Sequence, residues 1–303
     1  MSALFVDGVV RPAAIGATAH AALVRTRGAA RVLARLSAST YLVAGEEIVW
    51  LGRVGATLHP RAILASAARD PEVDEMTIDV GAATPWRPAA LALDPETAAT
   101  LAIGWTALAA GAAALGAPAG FGALLVGVPL AFPLDGARGA AEALARACAH
   151  DDAAGATDAA LALLGLGAGL TPSGDDFVGG AFFARALLAT ARGADPGGWR
   201  RAAVAVVAAA PAFTHPISVA LVADLVAGLG CASLHDLVSA LAARDPRAAA
   251  EAARRLVELG HTSGWDLLAG LGAGLGALAW RHRSCMVPRP RGRLDDEQAK
   301  RRR

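Results

Sequence analysis

The stretch LLGLGAGLTPSGDDFVGGAFFARALL, residues 163–188, decides how the second half of this chain is read. Gly165, Gly167 and Gly169 lead into the turn Thr171-Pro172-Ser173-Gly174. Two adjacent carboxylates, Asp175 and Asp176, follow, and then a run of apolar residues. This spells a glycine-rich turn opening a hydrophobic helix over 174–192. A weaker copy stands ninety residues later, where Ser263-Gly264-Trp265-Asp266-Leu267-Leu268-Ala269-Gly270 repeats Ser173-Gly174-Asp175-Asp176-Phe177-Val178-Gly179-Gly180 as Ser-Gly-x-Asp-apolar-apolar-x-Gly. Both copies follow Gly-x-Thr, at Gly169–Thr171 and Gly260–Thr262. The repeat predicts two helix entrances that meet in space and share one site, with Gly179, Gly180 and Gly270 allowing close packing behind them.

Outward from these helices the helical signal persists. Candidate helices cover 95–115, 137–149, 157–165, 174–192, 197–210, 214–229, 233–243, 246–259 and 264–281. Asp94-Pro95-Glu96 and Asp245-Pro246 are N-caps with proline in the first turn, and Ser233-x-x-Asp236 reads as another cap. Phe121–Phe132 is expected to hold a strand or an extended loop. The first ninety residues have a different texture. Short segments with partial alternation (21–27, 30–36, 41–43, 47–52, 76–80 and 89–93) are separated by Gly, Ser or Ala-Gly turns, which suggests a small antiparallel sheet or partly closed barrel. The expected fold is α+β: a β-rich N-terminal domain over 1–94, a larger Ala/Gly-rich helical domain over 95–281, and a tail over 282–303.

That tail is basic. Of the chain's 28 basic residues, nine lie from Arg281 onward, as do three of its 27 acidic ones, so the rest of the chain carries a net charge of −5. A proline-containing arginine-rich end of this kind reads as a disordered solvated extension, and no aromatic platform or groove-reading motif accompanies it to suggest nucleic-acid binding. Cys148, Cys231 and Cys285 are too widely spaced for a disulfide framework or a zinc cluster. No charge occurs between Glu96 and Asp135, but Gly104, Gly111, Gly116, Pro118 and Gly120 interrupt that run, which predicts a buried helix rather than a membrane span. No signal peptide is visible, and a cytoplasmic location is expected.

The chemistry of the two entrances admits two readings. Ser173 with Asp176, and Ser263 with Asp266, match a capping box, in which hydroxyl and acid each satisfy an orphan helix N–H. Capping leaves the three glycines and Asp175 unexplained. The glycine turn can present successive N–H groups to an anion. Asp175 and Asp176 can hold Mg²⁺ through hard oxygen ligands or orient an NH₂ group. A third segment, Thr214-His215-Pro216-Ile217-Ser218, opens another apolar helix, with Thr214 and Ser218 one turn apart on one face. His215 and His261 stand beside caps, where neutral imidazole can act as acid or base. No Walker A loop and no G-x-S-x-G elbow is present.

Taken in order, GLGAGLTPSGDDFVGG (165–180), THPIS (214–218) and GHTSGWDLLAG (260–270) resemble the AllH-type family. The resemblance implies a component of oxamate carbamoyltransferase, which exchanges oxalurate and phosphate with oxamate and carbamoyl phosphate in allantoin breakdown, working with two other, unrelated subunits. Under that expectation Gly167, Gly169, Thr171, Ser173, Gly174, Thr214, Ser218, Thr262, Ser263 and Gly264 bind the anionic substrate. Asp175, Asp176 and Asp266 orient an NH₂ group or hold a metal, and His261 transfers the proton. Two alternatives remain open from the residues: a non-catalytic scaffold subunit and a small-anion-binding module.

Overall fold

The computed structural model describes residues 9–37, 39–66, 74–89, 93–191 and 197–277. Its strands all precede residue 87: β1 (Val9–Val10), β2 (Ala14–Gly16), β3 (Ala29–Arg35), β4 (Thr40–Ala44), β5 (Glu47–Arg53), β6 (Ala62–Ala65), β7 (Glu75–Ile78) and β8 (Pro85–Trp86). Among the described residues they form one sheet in the order β1-β7-β3-β4-β5-β6-β2-β8. The pairs β1–β7, β5–β6 and β2–β8 are parallel and the rest antiparallel, so the sheet is mixed. The reason lies in residues 54–61: they carry the chain back across the sheet, which lets β6 run alongside β5 in the same direction.

Helix α1 (Ala17–Arg25) covers one face of this sheet, burying Ala19, Ala22 and Leu23. Residues 21–27 were expected as a strand. They belong mostly to this helix because the buried positions recur at i, i+3 and i+4 from Ala19, a spacing that begins upstream of the apparent alternation, and alanine favours helix. The segment 89–93 forms no strand at Ala89 or Leu93, and residues 90–92 lie outside the described residues. Within the sheet, alternation sends Leu42, Val49 and Leu51 into a core with Ile15, Leu23, Ile63 and Ile78. The same alternation turns Tyr41 and its cross-strand partner Trp50 to the opposite face.

From residue 95 the chain is helical: α2 (Pro95–Ala110), α3 (Arg138–Ala149), α4 (Ala153–Leu161), α5 (Ser173–Ala191), α6 (Gly197–Ala209), α7 (Pro216–Val226), α8 (Ala232–Ala242), α9 (Pro246–Val257) and α10 (Ser263–Gly274). These helices bury a second core, which includes Trp105, Phe121, Phe177, Phe182, Phe183 and Leu271. The molecule is therefore α+β, with a sheet-rich N-terminal part and a helix-dominated remainder. No described helix is long and apolar enough to cross a membrane. The tail 282–303 lies outside the described residues.

Local chemistry sets the helix starts. Asp94 accepts from the Thr97 N–H at 2.7 Å, and Asp245 accepts from the Arg247 and Ala248 N–H groups at 3.0 and 2.9 Å. Asp245→Ala is expected to cost about 1 kcal/mol, read as a lowered urea midpoint. Helix α4 starts four residues before its expected position because Asp152 caps it, accepting from the Gly155 N–H at 2.9 Å. The Ser233-x-x-Asp236 cap does not form. Helix α8 begins at Ala232, and Asp236 instead pairs with Arg255 at 2.9 Å. Phe121–Phe132 holds a short 3-10 helix, Gly120–Val126, instead of a strand.

Helices α5 and α10 pack directly on each other. A Cβ on Gly270 would collide with the Phe177 carbonyl, and one on Gly180 would lie 3.0 Å from the Leu271 nitrogen. In the repeat, Phe177 corresponds to Leu267 and Gly180 to Gly270. A Cβ on Gly180 would also meet the Leu267 carbonyl. The contacts are therefore reciprocal, and the two copies face each other across a local two-fold.

Candidate functional site

The pairing of α5 and α10 brings the two entrances together. Ser173 Oγ lies 3.1 Å from Thr262 Oγ1, and Thr171 Oγ1 lies 3.3 Å from Ser263 Oγ. Each serine thus meets the threonine of the other copy. Each acid meets the serine of the other copy. Ser263 acts on Asp176, while Ser173 and Thr262 act on Asp266.

The expected capping boxes do not form. Helix α5 starts at Ser173, and the N–H groups of Asp175 and Asp176 both bond to the Pro172 carbonyl. In α10 the N-cap is Thr262, without a side-chain cap bond. Both serines stand one residue past the cap position, and their hydroxyls cross to the partner helix. Ser173 and Asp176 therefore belong to the paired entrance, and capping does not account for them.

Three buried carboxyl groups stand behind these hydroxyls, in different states. Asp175 is fully buried and fully engaged. Its Oδ1 accepts from the Gly165 N–H at 2.7 Å, and its Oδ2 accepts from Ser218 at 2.6 Å and from Thr214. Asp175 thus ties the glycine turn to the start of α7. Gly165, Thr214 and Ser218 spend their donors inside the protein instead of presenting them to a ligand. Gly165, Gly167 and Gly169 have φ of 76°, 118° and 95°, a region that other residues adopt only with strain, which is what the turn requires of them.

Asp176 and Asp266 are under-satisfied. Asp266 Oδ1 accepts from the Phe121 N–H at 2.6 Å, but its Oδ2 has no hydrogen-bond partner, and neither has Asp176 Oδ2. Burial holds Asp176 well above the ordinary carboxyl range. The Ser263 hydroxyl opposes that rise, and the charges of Asp266 and Asp175 add to it. Burial lifts Asp266 to about 7, partly offset by the Phe121 N–H, Ser173 and Thr262. A carboxyl group near 7 exchanges its proton at neutral pH, the property a general acid–base needs.

These groups border a cavity of about 710 Å³ between the sheet and the helices. Asp176, Thr171, Ser263 and Gly260 line it from the helical side, and Tyr41, Trp50, Ser39 and His59 line it from the sheet. The remaining residues expected from the sequence are elsewhere. Ser173, Thr262 and Asp266 are not among the lining residues. Gly174 and Gly264 direct their N–H groups to the carbonyls of Leu166 and Leu259. His261 is exposed and is not among the lining residues, and neither Gly167 nor Gly169 borders the cavity. His215 is the N-cap of α7, its Nδ1 accepting from the Ile217 N–H at 3.2 Å. No cluster of three or more His, Cys, Asp or Glu side chains placed to hold a metal occurs among the described residues, and Asp175 and Asp176 do not converge on one point of the cavity wall.

Residues 163–275 match the family described as oxamate carbamoyltransferase subunit AllH. No curated protein and no solved structure matches the chain. The matched segment begins just before the glycine turn and ends just past α10, so it contains both entrances, the Asp175 cluster and the helical wall of the cavity. It leaves out the sheet wall. Sequence reasoning passed over Tyr41, Trp50 and His59 because it looked for chemistry at glycine-rich turns. One signal was available: Tyr41 is the chain's single tyrosine and sits in a strand beside the aromatic Trp50.

Proposed function

We infer that this chain is an AllH-like component of a carbamoyltransferase in ureide breakdown, acting on oxalurate and phosphate and assembling with two unrelated subunits. The observation that carries the reading is the crossed pair of Ser-Gly-x-Asp entrances, inside the matched segment, opening on one cavity with Asp176 in its wall.

In the proposed reaction a phosphate oxygen bonds to the carbamoyl carbon, and the bond from that carbon to the oxamate nitrogen breaks. The departing nitrogen takes a proton. Thr171 and Ser263 border the cavity and supply hydroxyl donors for the carbonyl oxygen as it gains charge. Asp176, whose burial favours its protonated form, is the acid in contact with substrate. Asp266 holds and returns a proton through the Ser173 and Thr262 hydroxyls. This assignment moves the proton-transfer role from His261, which is exposed, to the buried acids. Mg²⁺, if the assembled enzyme uses it, would meet Asp176 and not the enclosed Asp175.

The test is release of oxamate from oxalurate, dependent on phosphate, by the chain assembled with its partner subunits. Asp176→Asn is expected to lower kcat by about 100-fold or more without lowering the thermal midpoint. Full activity in that variant would make the entrances packing devices of a non-catalytic subunit.

A further inference from the structure

The sheet wall of the cavity lies outside the matched segment, and its chemistry is of one kind. Tyr41 projects from β4 and Trp50 from β5 as directly paired residues, and the His59 ring lies 5.3 Å from the Trp50 ring at a tilt of 48°. All three border the cavity. The Tyr41 hydroxyl makes no hydrogen bond among the described residues, and His59 Nδ1 has no partner. Across the cavity Asp176 holds a third unpartnered polar atom. An unpartnered buried polar atom costs about 1–3 kcal/mol; two of them, on His59 and Asp176, belong to residues that border one space from two structural units, with the free Tyr41 hydroxyl beside them, an arrangement that a ligand would repay.

The charges there decide what kind of ligand. Burial and the charge of Asp176 push the Tyr41 phenol up to about 12, and burial with the neighbouring Arg61 pulls His59 down to about 4, so both are neutral at physiological pH. Arg255 is the cationic side chain in the lining, and it is already paired with Asp236 at 2.9 Å and Glu251 at 3.5 Å. Asp224 and Glu258 add acidic character, Asp224 being paired with Arg61. No uncommitted positive charge therefore faces the cavity among the described residues. Such a wall suits an uncharged planar amide, whose N–H groups and carbonyl need acceptors and donors side by side and whose flat face suits aromatic rings. It does not suit phosphate.

We propose that the N-terminal sheet is half of the binding site: Tyr41 and His59, with Trp50 as the flat wall, select the uncharged carbamoyl end of the substrate against Asp176. The counter-charge for phosphate then comes from outside this cavity. This rests on the carbamoyltransferase reading above and adds to it the residues that recognise the ureido group and the division of labour between the two ends of the reaction.

The experiment is calorimetric titration of the full chain with oxalurate and, separately, with inorganic phosphate, for wild type, Tyr41→Phe and His59→Phe. Both variants keep a ring and remove the polar atom. Saturable oxalurate binding, weakened at least tenfold in each variant, with no saturable phosphate binding, is the expected result. Wild-type oxalurate affinity in folded variants would overturn the proposal. Phosphate binding that both variants weaken, or no saturable oxalurate binding to a cavity already formed, would overturn it too. Should His59→Phe fail to fold, Tyr41→Phe decides alone. The carbamoyltransferase reading is checked separately by turnover of the assembled wild-type complex. Turnover with unaffected variants sinks only the sheet-wall assignment, whereas binding without turnover sinks the reaction.

Discussion

Arg61→Met is expected to destabilise the protein by about 3–5 kcal/mol, the cost of leaving a buried charge without its partner. Arg61 stands at the start of β6, is 9% exposed, and forms a fork with Asp224 of α7: Nε to Oδ2 at 2.7 Å and the second nitrogen to Oδ1 at 2.9 Å. Its remaining nitrogen donates to Glu47 at 2.8 Å and to the Ile48 carbonyl at 3.1 Å. One side chain thus joins β5, β6 and α7, and so the sheet to the helices, at the edge of the candidate cavity. Burial already raises Asp224 despite the Arg61 charge, so removing that charge leaves a carboxyl that must either ionise alone or take up a proton. Thermal and urea unfolding of the single variant should show a midpoint lower by roughly 10 °C. Arg61→Met with Asp224→Leu should recover most of the loss, because an apolar pair of similar volume replaces a buried ion pair at little cost. A loss below about 1 kcal/mol in the single variant would mean the fork is solvated and does not tie the two halves together.

The sequence conveyed the helical half well, because its signals are local. Asp94 and Asp245 act through N–H groups three residues away or fewer, and such caps can be read from neighbours alone. The repeat at Ser173 and Ser263 correctly announced a meeting of two helices, since a shared glycine spacing records a shared packing need. Partner choice was not legible. A serine three residues before an acid spells a capping box, and only the position of the first helical turn determines that both serines cross to the opposite helix. Asp175 looked superfluous from its neighbours. Its partners at Gly165, Thr214 and Ser218 are ten to forty-three residues away. In the sheet, alanine blurred the two-residue alternation enough for α1 to pass as a strand. Tyr41, Trp50 and His59 became visible as a wall only when strand pairing placed them side by side.

The most direct probe of the paired entrances is the pH dependence of Asp266→Asn. In the unfolded chain this carboxyl loses its proton near 3.8, and in the folded protein near 7. Between those values the folded state holds a proton that the unfolded state has released. Stability therefore falls through this group as pH rises from about 4 to about 7, and the contribution levels off above that. Asp176 acts in the same direction. His59 and His235, both drawn down to about 4 largely by burial, act in the opposite one: the unfolded chain binds their protons first, so stability rises with pH from about 4 to about 6.5. The wild-type profile mixes these slopes, and the difference between variant and wild type isolates Asp266. Asparagine keeps the acceptor for the Phe121 N–H and removes the charge, so the variant should match wild type near pH 4 and exceed it by several kcal/mol, at most about 4, at pH 8. Asp176 should ionise more readily in the variant, since one of the charges raising it is gone. Urea unfolding at unit steps of pH measures the difference directly. A gap that stays constant from pH 4 to 8 would show that Asp266 is ionised throughout and holds no proton for chemistry. A gap that opens with pH, together with lost turnover in the assembled complex, would mark this acid as one the fold keeps at a cost in stability for the sake of the site.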